Sequence, residues 1–175
     1  MSPLVFLGSD FKTGDASSYT FTGSDGGGAG FTLGTPHANR RIVFGVCGFY
    51  VSGDVRFSSA SINGVGATLV TSQGNDGIWV PTGLYLADVP SSATGNIVVT
   101  FNSTVSSCGI AVWALYNLSS STAYATGGSN NLSPQTANLN IPSDGCLISF
   151  AQWDADGTTG WTGATEDCDV STGET

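Results

Sequence analysis

The chain of 175 residues has one histidine, His37, in the turn-forming stretch Gly34-Thr35-Pro36-His37. Any Ser-His-Asp or Cys-His arrangement must use it. No GxSxG nucleophile elbow accompanies it, so His37 reads as a solvent-facing turn residue. Thirteen acids offer many carboxylate pairs of the kind a glycosidase needs, but no spacing singles one out. Asp154-Ala155-Asp156-Gly157 has the alternation that opens a calcium loop. The bidentate Glu expected later in such a loop is missing, leaving only Glu166 and Asp167 to fold back, so an Asp-Gly turn is the better reading. No GxGxxG opens a helix, and the glycines of Gly23–Gly30 (GSDGGGAG) have no following Lys or helix to cradle a phosphate.

Cys47, Cys108, Cys146 and Cys168 contain no CxxC pair, which argues against zinc. The first three lie in or at the start of apolar runs and read as small buried hydrophobes; spacing selects no disulfide partners. Trp79, Trp113, Trp153 and Trp161, with Tyr50, Tyr85, Tyr116 and Tyr124, are the side chains that could stack on sugar rings. Trp113 and Trp153 lie inside apolar runs and are expected in the core. Trp79 and Trp161 flank Gly-rich turns and are the surface candidates. Catalytic, cofactor and metal residues are therefore all expected to be none, and the chain is expected not to be an enzyme.

The elements that must carry these residues are strands. Charged residues make up 10% of the chain and apolar ones 40%, with 25 Gly and nine Phe. Too few helix formers remain for a bundle, and too many apolar residues for disorder. Strand signals fall at Tyr19–Thr22, Phe31–Leu33, Arg41–Val51, Val55–Asn63, Ala67–Thr71, Gly83–Val89, Ile97–Phe101, Gly109–Leu115, Ala137–Ile141, Cys146–Trp153 and Trp161–Cys168. Val55, Phe57, Ser59 and Ser61 are expected on one side of their strand. Asn63-Gly64, Asn75-Asp76-Gly77, Pro90-Ser91-Ser92 and Ser143-Asp144-Gly145 punctuate the strands as turns. The expected fold is all-β: a two-sheet antiparallel sandwich, jelly-roll-like.

Residues 1–30 read as an N-terminal arm and Gly-rich link, and 31–175 as the sandwich domain. Thr32–Phe44 and Asn138–Phe150 share Leu, Pro, Ile and Phe at matching offsets, and Gly66-Ala67-Thr68 matches Gly163-Ala164-Thr165. This suggests a duplicated half, 31–118 and 135–175, with the second incomplete. The chain is then expected to continue for some tens of residues, or to be completed by a neighbour.

Four basic residues (Lys12, Arg40, Arg41 and Arg56) cannot build a phosphate-neutralising surface, so nucleic acid is not an expected partner. The formal net charge is −9, and seven of the thirteen acids lie from Asp144 to Glu174, predicting a solvated acidic C-terminal face. The longest apolar stretch, Ile110–Tyr116, is too short to span a bilayer. The start, MSPLVFLGSD, lacks a basic region, so synthesis in the cytosol is expected.

Four segments carry a family likeness: RRIVFGVCGF, SINGVGATLV, GLYLADVPSSATGNIVVTF and CGIAVWALYNLSS. In order and spacing they resemble a family of small β-sandwich structural proteins of tailed bacteriophages and prophages, especially of alphaproteobacteria. The likeness covers Arg41–Ser121, with a weaker echo over Leu139–Asp169. It implies a virion protein, made in the host bacterial cytoplasm, that binds other virion proteins in many copies or as a homo-oligomer. Head decoration, cement or a minor capsid role is the expectation, because no heptad or collagen-like tract suggests a stalk. The alternatives are a tail or fibre component, or a glycan-binding module for cell-surface attachment.

Overall fold

The computed structural model describes residues 4–23, 30–49, 54–73, 81–118, 120–128, 137–152, 160 and 162. Among these residues nine strands form, in chain order β1 (Leu4–Phe21), β2 (Phe31–Thr32), β3 (Arg41–Phe49), β4 (Phe57–Ile62), β5 (Val65–Gly66), β6 (Thr68–Gln73), β7 (Thr82–Ala87), β8 (Thr94–Gly95) and β9 (Ile97–Leu115). All pairings are antiparallel. One sheet runs β5-β4-β9-β3-β7-β6, with β1 added along β9; β2 and β8 make a small second sheet. Among the described residues no helix is long and apolar enough to cross a membrane.

Strand β9 organises the large sheet. Ile97–Leu115 is one strand of 19 residues, where the sequence suggested two separated by Asn102–Cys108. The polar stretch stays in one strand because β1 pairs on both sides of it, from Leu4↔Leu115 to Ala16↔Val105 and from Ser18↔Thr100 to Phe21↔Ile97. On its other side β9 is shared: β4 pairs with Ile97–Phe101 and β3 with Ser107–Leu115. Register shifts in β1 after Phe6, Thr13 and Ala16 let these long strands bend, and the sheet curls round its core.

Within the expected N-terminal arm, then, Leu4–Phe21 is a full strand, of which only Tyr19–Thr22 was legible. Its Leu4–Thr13 part alternates poorly because both faces are half-covered, so no period of two shows. In β4, a shift between Phe57 and Ser59 breaks the expected one-sided row. Phe57, Ala60 and Ile62 all pack into the core as a result, and Ser59 and Ser61 do not.

The core lies inside the curl. Ile42, Phe44 and Val46 of β3, Tyr85 and Ala87 of β7, and Val99, Phe101, Ile110 and Val112 of β9 are buried there, with Phe21 and Phe31. A run of rings crosses it. Phe44 stacks on Tyr85 at 5.4 Å between centroids, Tyr85 meets Phe57 edge-on at 5.7 Å, Phe57 meets Phe101 at 5.2 Å, and Phe101 meets Tyr19 at 6.3 Å. The spacings suit favourable ring pairs, and they join β3 and β7 to β4, β9 and β1 across the curl.

Both faces of β3 are buried, as its apolar run predicted. On the outer face Val43, Cys47, Ala111 and Trp113 are buried too, and Phe6 lies 5.7 Å from Trp113. A side chain at Gly45 would collide with Phe150, so that ring sits directly on the bare backbone of β3.

The second half of the proposed duplication departs from expectation. No strand forms in 137–152, where Ala137–Ile141 and most of Cys146–Trp153 were expected. Ile148, Phe150 and Gln152 do alternate as half-buried positions, but the segment lies over a sheet face rather than beside a strand edge. A sheet face offers no ladder of donors and acceptors. The turn Ser143-Asp144-Gly145 is present, closed by Gly145 N–H to Pro142 O at 2.9 Å. Of the expected strand Trp161–Cys168 only Thr162 is described, as an exposed bend; the rest lies outside the described residues.

The Asn63-Gly64 turn between β4 and β5 also forms as expected. Its φ values of 50° and 79° are those of a type I′ hairpin. Asn63 further clamps the small sheet: its side-chain NH2 donates to Thr94 O at 2.9 Å and its side-chain oxygen accepts from Asn96 N–H at 2.9 Å. Asn63→Ala removes both bonds and places a side chain that disfavours positive φ there, so it should cost about 1–2 kcal/mol in urea unfolding. Asn63→Asp, which keeps the acceptor and the tolerance of positive φ, should cost less.

Candidate functional site

The most elaborate polar arrangement surrounds Arg40. The chain leaves β2, passes Gly34, and turns at His37–Arg40, where Arg40 N–H donates to His37 O at 2.9 Å. His37 is exposed, as expected, and its Nδ1 accepts from Asn39 N–H at 3.1 Å. Its ring meets Tyr116 edge-on at 6.2 Å, and the Tyr116 hydroxyl donates to Thr35 O at 3.1 Å.

That turn drives the Arg40 side chain inward until it is fully buried. Its Nη1 donates to Leu33 O and Gly34 O, both at 2.9 Å; its Nε donates to Val89 O at 2.9 Å; its Nη2 donates to Val89 O and Ser92 O. Every acceptor is a backbone carbonyl. The planar fork of donors suits Arg to this cage and would not suit Lys. The guanidinium thus ties the segment after β2 to the loop after β7 and holds the small sheet against the large one. It is sealed from ligands. Arg41 beside it points outward and pairs with Asp88 at 3.0 Å.

The sequence signalled none of this. Arg40 read only as one of four basic residues too few to build a phosphate-neutralising surface, whereas its charge is enclosed by peptide dipoles. The adjacent Arg41 gives the same composition signal and lies half-buried at the surface. Only the direction of the turn separates them.

Three of the described carboxylates are occupied locally. Asp54 holds Arg56 at 2.8 Å, Asp88 holds Arg41, and Asp10 accepts the N–H of Phe11 at 2.8 Å. No group of three or more His, Cys, Asp or Glu side chains that could hold a metal ion occurs among the described residues. Asp154, Asp156, Glu166 and Asp167 lie outside those residues, as do Trp79, Trp153, Trp161, Tyr50 and Cys168. Of the aromatic candidates, Trp113 and Tyr85 are buried, as expected for Trp113, and Tyr124 is 72% exposed.

Two thiols are buried and one is not. Cys108 points into the core, and Cys47 lies on the opposite face of the neighbouring strand. Adjacent strands that send the two side chains to opposite faces do not present them for a disulfide. Cys146, expected to be buried, is exposed because its segment crosses the outside of the sheet. Burial pushes the Cys47 thiol up to about 12, and the Tyr85 phenol up to about 12 as well. Burial, then the nearby Cys47, raises Cys108 too.

These groups make alkaline pH destabilising. In the unfolded chain a thiol ionises near 9 and a phenol near 10, whereas in the fold both stay neutral to about 12. Stability is therefore complete below about pH 9 and falls as pH rises towards 12, because only the unfolded chain releases its protons. The urea midpoint should drop across that window, and Cys47→Ala should make the drop shallower.

Part of what the molecule presents outward is its sheet perimeter. Strands β1, β5 and β6 lie at the margins of the large sheet. The large apolar side chains most exposed within strands are Val5 on β1, Val65 on β5 and Leu69 on β6, each at 40% or more. Comparison with family models, with curated proteins and with solved structures gives no match to this chain.

Proposed function

We propose that this chain is a structural protein of a tailed-bacteriophage virion, a head decoration, cement or minor capsid component that binds other virion proteins. The placement of Val5, Val65 and Leu69 on the three marginal strands of one sheet carries the reading. A module that packs edge to edge on a symmetric shell needs apolar contacts at its margins and little else, since many copies multiply modest interfaces. The four segments that resemble the phage family supply β3 through β9, so the likeness and the sheet are one region of the chain. In this reading the curled sheet and the small β2-β8 sheet are the two walls of a jelly-roll-like sandwich.

Cryo-electron microscopy of the particles that carry the chain tests the assignment. Density repeating over the shell lattice, with β1, β5 or β6 against a neighbour, is the expected result. Density confined to the tail or a fibre would move the assignment to adsorption. Absence from every particle would overturn the virion role.

A further inference from the structure

Among the described residues β1 is bonded along one side only, to β9. Its register is uninterrupted from Gly8 to Thr13, between the shifts that follow Phe6 and Thr13. Within that stretch Phe11 N–H donates to Asp10 Oδ1 at 2.8 Å, so this donor faces the open side rather than the ladder with β9. Ladder groups alternate in direction along a strand, so Ser9 and Thr13 present theirs to the open side as well. Asp10 and Lys12 flank Phe11, and both lie outside the ion pairs formed among the described residues, Arg41–Asp88 and Arg56–Asp54.

We propose that the Gly8–Thr13 edge of β1 pairs with the same edge of a second copy of this chain, antiparallel about a two-fold axis at Phe11. In that register Phe11 exchanges backbone hydrogen bonds with Phe11 of the second copy, and Ser9 with its Thr13. Asp10 then stands directly opposite Lys12 of the second copy, and Lys12 opposite its Asp10. Both are non-hydrogen-bonded positions, where side chains come closest. The Asp10 carboxylate exchanges the Phe11 N–H that it caps in the single chain for the ammonium of the other copy. Charges and bulges on an edge more often keep copies apart. Here the two-fold brings opposite charges together, and the bulges limit the pairing to a short regular stretch. A short pairing predicts a weak, concentration-dependent dimer. The inference goes beyond the virion reading and stands without it.

Sedimentation velocity of the full chain at low salt and rising concentration tests it. The expected mass climbs from 17.8 kDa towards twice that value. Lys12→Asp and Asp10→Lys each oppose like charges twice across the axis and should weaken self-association about tenfold. The double variant Asp10→Lys/Lys12→Asp exchanges the partners and should restore it. Thermal melts confirm that each variant folds; should Asp10→Lys fail to, Asp10→Asn keeps an oxygen for the Phe11 N–H and should still weaken association. A 17.8 kDa species at every concentration would overturn the proposal. So would single variants that associate as well as the parent, or a double variant that stays monomeric.

Discussion

Arg40→Ala is expected to cost the folded state about 3–5 kcal/mol, the range seen when one member of a buried charged arrangement is deleted. The reason lies in what stays behind. Leu33 O, Gly34 O, Val89 O and Ser92 O all accept from the guanidinium, and truncation strands them in a space that water reaches poorly. The side chain also fills volume at the junction of the two sheets, which alanine leaves empty. Typical domains have only about 5–15 kcal/mol in hand, so the variant should unfold at a much lower urea concentration. Arg40→Lys separates charge from geometry. It keeps the charge but has one nitrogen for a set of acceptors spread over two loops, so it should recover only a minor part of the loss. Full recovery by Lys would show that charge, not the fork of donors, holds the junction. The neighbouring Arg41→Ala serves as the control. Its ion pair with Asp88 lies at the surface, with the Arg41 and Asp88 side chains 21% and 60% exposed, and should be worth less than about 1 kcal/mol.

Phe101→Ala should cost about 3–5 kcal/mol by the same measurement, the range for deleting a buried Phe. Phe101 is 3% exposed and sits where β9 passes from β4 to β3. Its ring touches Phe57 and Tyr19, and it also occupies the place a side chain would take at Gly48. A Cβ there would lie 2.9 Å from the ring. Gly48→Val should therefore destabilise on its own, by about 1–3 kcal/mol, through overpacking. Combined with Phe101→Ala, the valine enters the vacated space, and the double variant should be more stable than the sum of the single losses requires. Strict additivity would show that Phe101 and Gly48 do not share one packing site.

The Gly48–Phe101 contact shows where sequence reading stopped. The 25 glycines argued for turns, and Asn63-Gly64 and Asp144-Gly145 are turns. Yet Gly45, Gly48 and Gly83 lie inside strands, beneath Phe150, Phe101 and Phe57. A glycine in an apolar run marks a close approach as readily as a turn, and the ring that fills the gap is far away in sequence. The division of β9 failed for a related reason. Asn102–Ser107 is polar, and polarity breaks the apolar pattern without breaking the strand when β1 runs alongside.

Local chemistry alone determined that this protein is all-β and antiparallel, where β3, β4 and β7 lie, which turn joins β4 to β5, and that Cys47, Cys108 and Trp113 are buried. Those features follow from side-chain periodicity and turn residues, which act over a few positions. Tertiary structure decided the rest: the 18-residue β1, the continuous β9, the seven-stranded curl, the exposure of Cys146 and the burial of Arg40 beside an outward Arg41. Each depends on which distant backbone lies opposite. Two of the four carbonyls that cage Arg40 come from 49 and 52 positions away, and the partners of β1 lie further still; neither leaves a mark on the residues next to it.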